Sequence, residues 1–99
     1  MIRFVRTASI MPGKLPEAVA FANQIREYCK KKYSTQIELR MPMGGNPDRI
    51  SWTSNYNSIA DLEEVLSKLA VDKKYIEQLS RVADYFISGS IFDEIWRAI

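Results

Sequence analysis

Two short runs with strict alternation carry the side chains best suited to chemistry. In residues 36–41, Gln36, Glu38 and Arg40 alternate with Ile37, Leu39 and Met41. In residues 49–56, Arg49, Ser51, Thr53 and Asn55 alternate with Ile50, Trp52 and Tyr56. A period of two puts one set on each face of a strand. On neighbouring antiparallel strands, Glu38, Arg40, Ser51, Thr53 and Asn55 become cross-strand neighbours. A Glu–Arg pair so placed orients an anionic or carbonyl group, and an asparagine amide donates to a developing oxyanion. The same residues equally make a hydrated protein–protein interface of ion pairs and hydroxyls. A second set, Trp52, Tyr56, Tyr85 and Trp96, is either the lining for an apolar ligand or plain core.

What the sequence lacks narrows the chemistry further. Its 99 residues include no histidine and a single cysteine, Cys29. That composition speaks against a zinc site of the common type, a His-ligated haem, a Ser-His-Asp triad and a Cys–His pair, and no metal or cofactor is expected. One cysteine forms no intrachain disulfide and fits a reducing compartment. Cys29 lies on an apolar helical stripe, where a packed thiol is expected. Asp93 and Glu94 are adjacent on a predicted strand, so they point to opposite faces and make no catalytic dyad. One of them is free to bridge to an arginine of a partner chain. Gly44-Gly45 lacks the lysine and spacing of a phosphate-binding loop and reads as a turn.

Charge and hydropathy set the partners. Fourteen basic and twelve acidic residues leave a net charge of +2, without the basic stripe of a nucleic-acid binder. Lys30-Lys31-Lys32 closes a predicted helix, where cations complement the macrodipole and form a solvated face. The first residues, MIRFVRTASIMPGK, have no continuous apolar core, and no run approaches the roughly 20 apolar residues of a membrane span. The expectation is a cytoplasmic protein with no membrane span.

These residues need elements to position them. One domain over 1–99 is expected from the length. Residues 2–10 read as a strand ended by Met11-Pro12-Gly13. Leu15, Ala18, Val19, Ala22, Ile25, Cys29 and Tyr33 share one face of a helix over 15–33. The two alternating runs make a hairpin around the turn at 42–48. Ser58, with Asp61 three residues on, caps a helix with the stripe Ile59, Leu62, Val65, Leu66, Leu69. Asp72 caps a second helix carrying Tyr75, Ile76, Leu79, Val82, Ala83 and Phe86, with a bend near Val71-Asp72. Residues 91–96 form a last strand. Strand, helix, strand, strand, bent or split helix, strand is the βαββαβ ferredoxin-like plan: an α+β fold whose antiparallel sheet has helices on one face. The open face takes the apolar Val5 beside Arg3, Thr7 and Ser9. Ile91, Phe92, Ile95 and Trp96 cannot all face one core. A symmetric partner accommodates the surplus.

The plan, the Pro12-Gly13-Lys14 turn and the ending Phe86-Ile87-Ser88-Gly89-Ser90-Ile91-Phe92-Asp93-Glu94-Ile95 resemble the dimeric α/β-barrel superfamily, and within it the NIPSNAP-like proteins and their uncharacterised bacterial relatives. The resemblance implies a homodimer whose two sheets pack face to face into a barrel, with the terminal strand reaching across to the partner. The superfamily holds cofactor-free antibiotic-biosynthesis monooxygenases, haem-degrading enzymes, muconolactone isomerases and chlorite dismutases. Its histidine-dependent members are poor guides to a chain without histidine. Resemblance to the monooxygenases implies a pocket between sheet and helices, lined by Trp52 and Tyr56 with Arg6 entering from the first strand. The resulting expectation is a cofactor-free oxygenase or isomerase acting on a small apolar or aromatic carbonyl compound. Its substrate-pocket candidates are Arg6, Arg40, Trp52, Asn55 and Tyr56, and its polar dimer face is Glu38, Arg40, Ser51 and Thr53. The alternative is a non-catalytic ligand-binding or assembly module. An enzyme should show a cavity with convergent polar groups, an assembly module a filled interior.

Overall fold

A computed structural model describes residues 1–99. The β-branched and aromatic run at the start forms strand β1, Ile2–Ser9, and Gly13, at φ +84°, turns the chain where a side chain would be strained. Helix α1 spans Leu15–Tyr33, with Pro16 in its first turn, Glu17 at its positive end and the three lysines at its negative end. Strands β2, Glu38–Arg40, and β3, Arg49–Tyr56, make the hairpin. Helix α2, Ile59–Ala70, starts where the Ser58 hydroxyl accepts the Asp61 N–H at 3.2 Å. Helix α3, Lys73–Arg81, is followed by a 3₁₀ turn, Ala83–Tyr85, and strand β4, Phe92–Arg97.

The differences from expectation are at element ends. β2 is half its predicted length because it is an edge strand, paired only from Glu38↔Thr53 to Arg40↔Ser51, and Pro42 lacks an N–H to continue. α3 stops at Arg81, where the Val82 N–H closes on the Leu79 carbonyl at 3.3 Å, tightening the chain into the 3₁₀ turn. Phe86 therefore leaves the helix, and Ile10 forms an isolated bridge with it.

The sheet order is β2-β3-β1-β4 with every pairing antiparallel, the ferredoxin-like arrangement. Register then assigns the faces. Phe4↔Ser54, Arg6↔Trp52 and Ala8↔Ile50 put Phe4, Arg6, Ala8, Ile50, Trp52, Ser54 and Tyr56 beneath the helices. Arg3, Val5, Thr7, Ser51, Thr53 and Asn55 take the open face, with Phe92, Glu94 and Trp96 from β4.

Ile10, Ala18, Ala22 and Ile50 form one core cluster; Ile2, Phe4 and Leu62 form another; Phe21, Ile25 and Cys29 form a third. Sixteen of 99 residues are buried, and this divided core leaves space between sheet and helices. The corner between α2 and α3 is held by Asp72. Its carboxylate caps α3 through the Tyr75 N–H at 3.1 Å and accepts from the Tyr28 and Tyr33 hydroxyls and from Lys32 Nζ at 3.0 Å. The Tyr33 bond, with those from Tyr28, Tyr75 and Lys32, holds this carboxyl well below the usual carboxylate range despite its burial. No helix is long and apolar enough to cross a membrane.

Candidate functional site

α2 rests on β1 and β3, whereas α3 packs chiefly on α2 and the 3₁₀ turn. The gap this leaves is a cavity of about 830 Å³. The sheet floor contributes Phe4, Ala8, Trp52 and Tyr56, and α1 contributes Phe21 and Ile25. Val65, Leu66 and Leu69 descend from α2, Tyr75 and Leu79 from α3, and residues 86–89 with Ile91 close one side. The volume lies within the range of small-ligand sites, and 19 of the 25 lining residues are hydrophobic, so an apolar molecule suits it.

Few polar groups interrupt this lining. Register places Arg6 opposite both Trp52 and Asp93. The Arg6 guanidinium donates twice to the Asp93 carboxylate, Nε to Oδ1 and Nη2 to Oδ2, each at 2.8 Å. This bidentate pair raises the arginine pKa further and keeps it charged. Burial pushes the Tyr75 phenol upward, and the nearby Arg6 charge opposes that shift only in part, so the hydroxyl remains a donor at neutral pH. Trp52 Nε1 is buried with no acceptor. Its ring is tilted against Phe86, which in turn meets Phe21 edge-on. Ser54 Oγ donates to Tyr56 Oη at 3.1 Å. Burial pushes the Cys29 thiol to about 11, so it stays protonated and inert. Arg6 and Tyr75, close to each other, therefore put guanidinium N–H groups and a phenol in the cavity wall. Such a set binds an acceptor oxygen.

The five pocket candidates divide between the two faces of the sheet. Arg6, Trp52 and Tyr56 line the cavity. Asn55 and Arg40 point to the other face, since Asn55 is an odd number of residues from both Trp52 and Tyr56, and Arg40 shares the parity of Glu38 rather than Leu39. Asn55 Oδ1 accepts from Arg3 Nε at 3.1 Å. Glu38 and Arg40 pair with each other along one strand, at 2.9 Å, rather than across strands. Ser51 and Thr53 lie opposite Arg40 and Glu38 as the alternation requires, and Thr53 Oγ1 is buried without a partner. Asp93 does not wait for an arginine of another chain, because Arg6 of its own chain holds it. Sequence reasoning missed that pair and the role of Tyr75. A signal existed: parity with Phe4 and Ala8 places Arg6 under the helices, where a guanidinium needs a counter-charge.

No family model matches the chain, and no curated protein matches it. Solved structures do. An uncharacterised NIPSNAP domain protein from Burkholderia xenovorans superposes on 100% of this chain and 95% of its own, with a TM-score of 0.82 at 16% identity. A NIPSNAP family protein of unknown function from Agrobacterium tumefaciens matches 99% of this chain and 87% of its own, with a TM-score of 0.82 at 17% identity. The chain has the fold of the NIPSNAP proteins. That ferredoxin-like fold extends to a Nitrosomonas europaea protein provisionally designated an antibiotic biosynthesis monooxygenase, which covers 100% of this chain and 99% of its own at a TM-score of 0.74 and 14% identity. At these identities the NIPSNAP likeness is one of fold, and chemistry has to be argued from the cavity.

Proposed function

We propose that this NIPSNAP-fold protein binds a small, largely apolar carbonyl compound in the cavity beneath α2 and α3, and acts on it as a cofactor-free oxygenase or isomerase. The observation that carries the reading is an otherwise apolar cavity with the Arg6 guanidinium and the Tyr75 phenol close together in its wall. A few donors placed in an apolar wall fix the orientation of a ligand oxygen. Both reaction types pass through an enolate, whose oxygen the same donors stabilise more strongly than the ground-state carbonyl. Asp84, in the cavity wall, is the carboxylate available to take a proton.

A second reading, ligand holding without turnover, is favoured by one feature: Arg6 and Asp93 already neutralise each other. Thermal-shift screening against quinones, polycyclic aromatic ketones and lactones tests both. A ketone that raises Tm should be consumed, with or without oxygen uptake, if the protein is an enzyme, and should be recovered unchanged if it only binds. Tyr75→Phe should weaken that ketone about tenfold, one hydrogen bond's worth, while leaving a hydrocarbon of the same shape unaffected. If no member of the panel shifts Tm, both readings fall.

The same reading includes a homodimer formed through the open sheet face. Phe92 and Trp96 are 62% and 59% exposed there. A self-complementary partner would cover both. A cytoplasmic location is in keeping with the unpaired thiol of Cys29.

A further inference from the structure

The Asp72 clasp brings together two lysine clusters that are far apart in sequence. Lys31 and Lys32 follow Tyr28 by three and four residues, so they share its side of α1. Lys73 and Lys74 open α3 on the other side of the clasp. The ammonium groups of Lys32 and Lys74 each lie 5.6 Å from the centre of the Tyr28 ring. They are therefore no more than twice that distance apart. All four lysines are exposed. Lys32 alone has a carboxylate partner, Asp72; the remaining ion pairs of the molecule involve none of the other three.

Folding alone does not account for this placement. Lys73 and Lys74 occupy the first turn of α3, which contains no acidic residue, and cations there oppose the helix macrodipole. They also face like charges from α1. The Asp72 carboxylate at the N-cap and the Tyr28 ring offset part of this, but that single carboxylate is outnumbered by the four exposed lysines. Between the clusters, at the corner of α2 and α3, Val71 is 78% exposed.

We infer that this corner docks the protein onto an anionic lipid bilayer. Lysines are compact, mobile point charges suited to a diffuse array of headgroups, and the patch contains no arginine fork of the kind that reads nucleic-acid phosphates. Neither of the two main concavities includes any of these residues. Val71, two residues before Lys73, supplies an exposed apolar side chain. Polybasic attachment of this size is reversible and screened by salt.

Sedimentation of the full chain with phosphatidylcholine vesicles, with and without phosphatidylserine, tests the inference. Binding should require phosphatidylserine and disappear at high salt. Lys73→Glu/Lys74→Glu, a change of four charges, should reduce it by about a thousandfold, and Val71→Ser should reduce it further. Lys14→Glu/Arg81→Glu makes the same change in net charge at the far ends of the same two helices and should leave binding intact. Circular dichroism confirms that each variant is folded. Equal loss in the two double variants, binding to pure phosphatidylcholine, or tighter binding to homopolymeric RNA than to vesicles would overturn the proposal.

Discussion

Cys29 shows how far a residue's chemistry is set by its neighbours. Packed against Phe21 and Ile25, it has a thiol pushed to about 11, chiefly by burial and then by the Asp72 charge. In the native protein it should resist thiol reagents at neutral pH and react promptly once guanidinium unfolds the chain; colorimetric titration of the free thiol reads the difference. Asp72 is shifted in the opposite direction. Its carboxyl titrates near 3.8 in an unfolded chain and well below that in the native one. The stability it contributes is therefore complete above the unfolded value and is lost as pH falls below it. Asp72→Asn should lower Tm at neutral pH and flatten the acid side of the stability curve, measured by thermal denaturation across pH. The capping role of Asp72 was legible from its place before Tyr75. The rest of the clasp was not, because Tyr28 and Tyr33 reach it from 44 and 39 residues away.

At the scale of elements, α3 carries a mismatch that can be measured. Replacing Lys73 with glutamate puts an anion at the positive end of the helix, and the variant should gain about 0.3–1 kcal/mol, read as a rise in Tm. If Tm falls instead, the lysine is not frustrated in the folded chain. Periodicity located the helices and the β2–β3 hairpin, and composition with turn signals located β1 and β4, though α3 stops at Arg81 short of the stripe that runs on to Phe86. Periodicity also held the information that divided the site. Trp52 and Asn55 are three apart on one strand and so cannot meet in one pocket, however well their chemistries match. What pattern could not supply was pairing register. Only register shows that Arg6 has Trp52 on one side and Asp93 on the other.

For the whole molecule, the cavity and the open face make separate demands. The cavity needs α2 and α3 to arch over the sheet, and its size depends on a bend that sequence places but does not angle. The open face presents Phe92 and Trp96 among paired polar groups. Light scattering at micromolar concentration should give twice the chain mass, and Trp96→Glu should shift it to the monomer while the far-ultraviolet circular dichroism is unchanged. A wild-type monomer would remove the dimer from the proposal.

Strand order also bears on how the molecule comes to be folded. β1 lies inside the sheet, yet one of its two neighbours is nearly a chain length away: the Arg6–Asp93 contact spans 87 residues. Closing so long a loop adds little entropy beyond a shorter one, since the cost grows only with the logarithm of length. Nothing rewards the closure, however, until β4 is in register, and topologies of this kind fold slowly for their size. A chain halted before Phe92 leaves β1 with a bare hydrogen-bonding edge and Arg6 without its counter-charge. Those are the conditions under which a strand recruits the wrong neighbour.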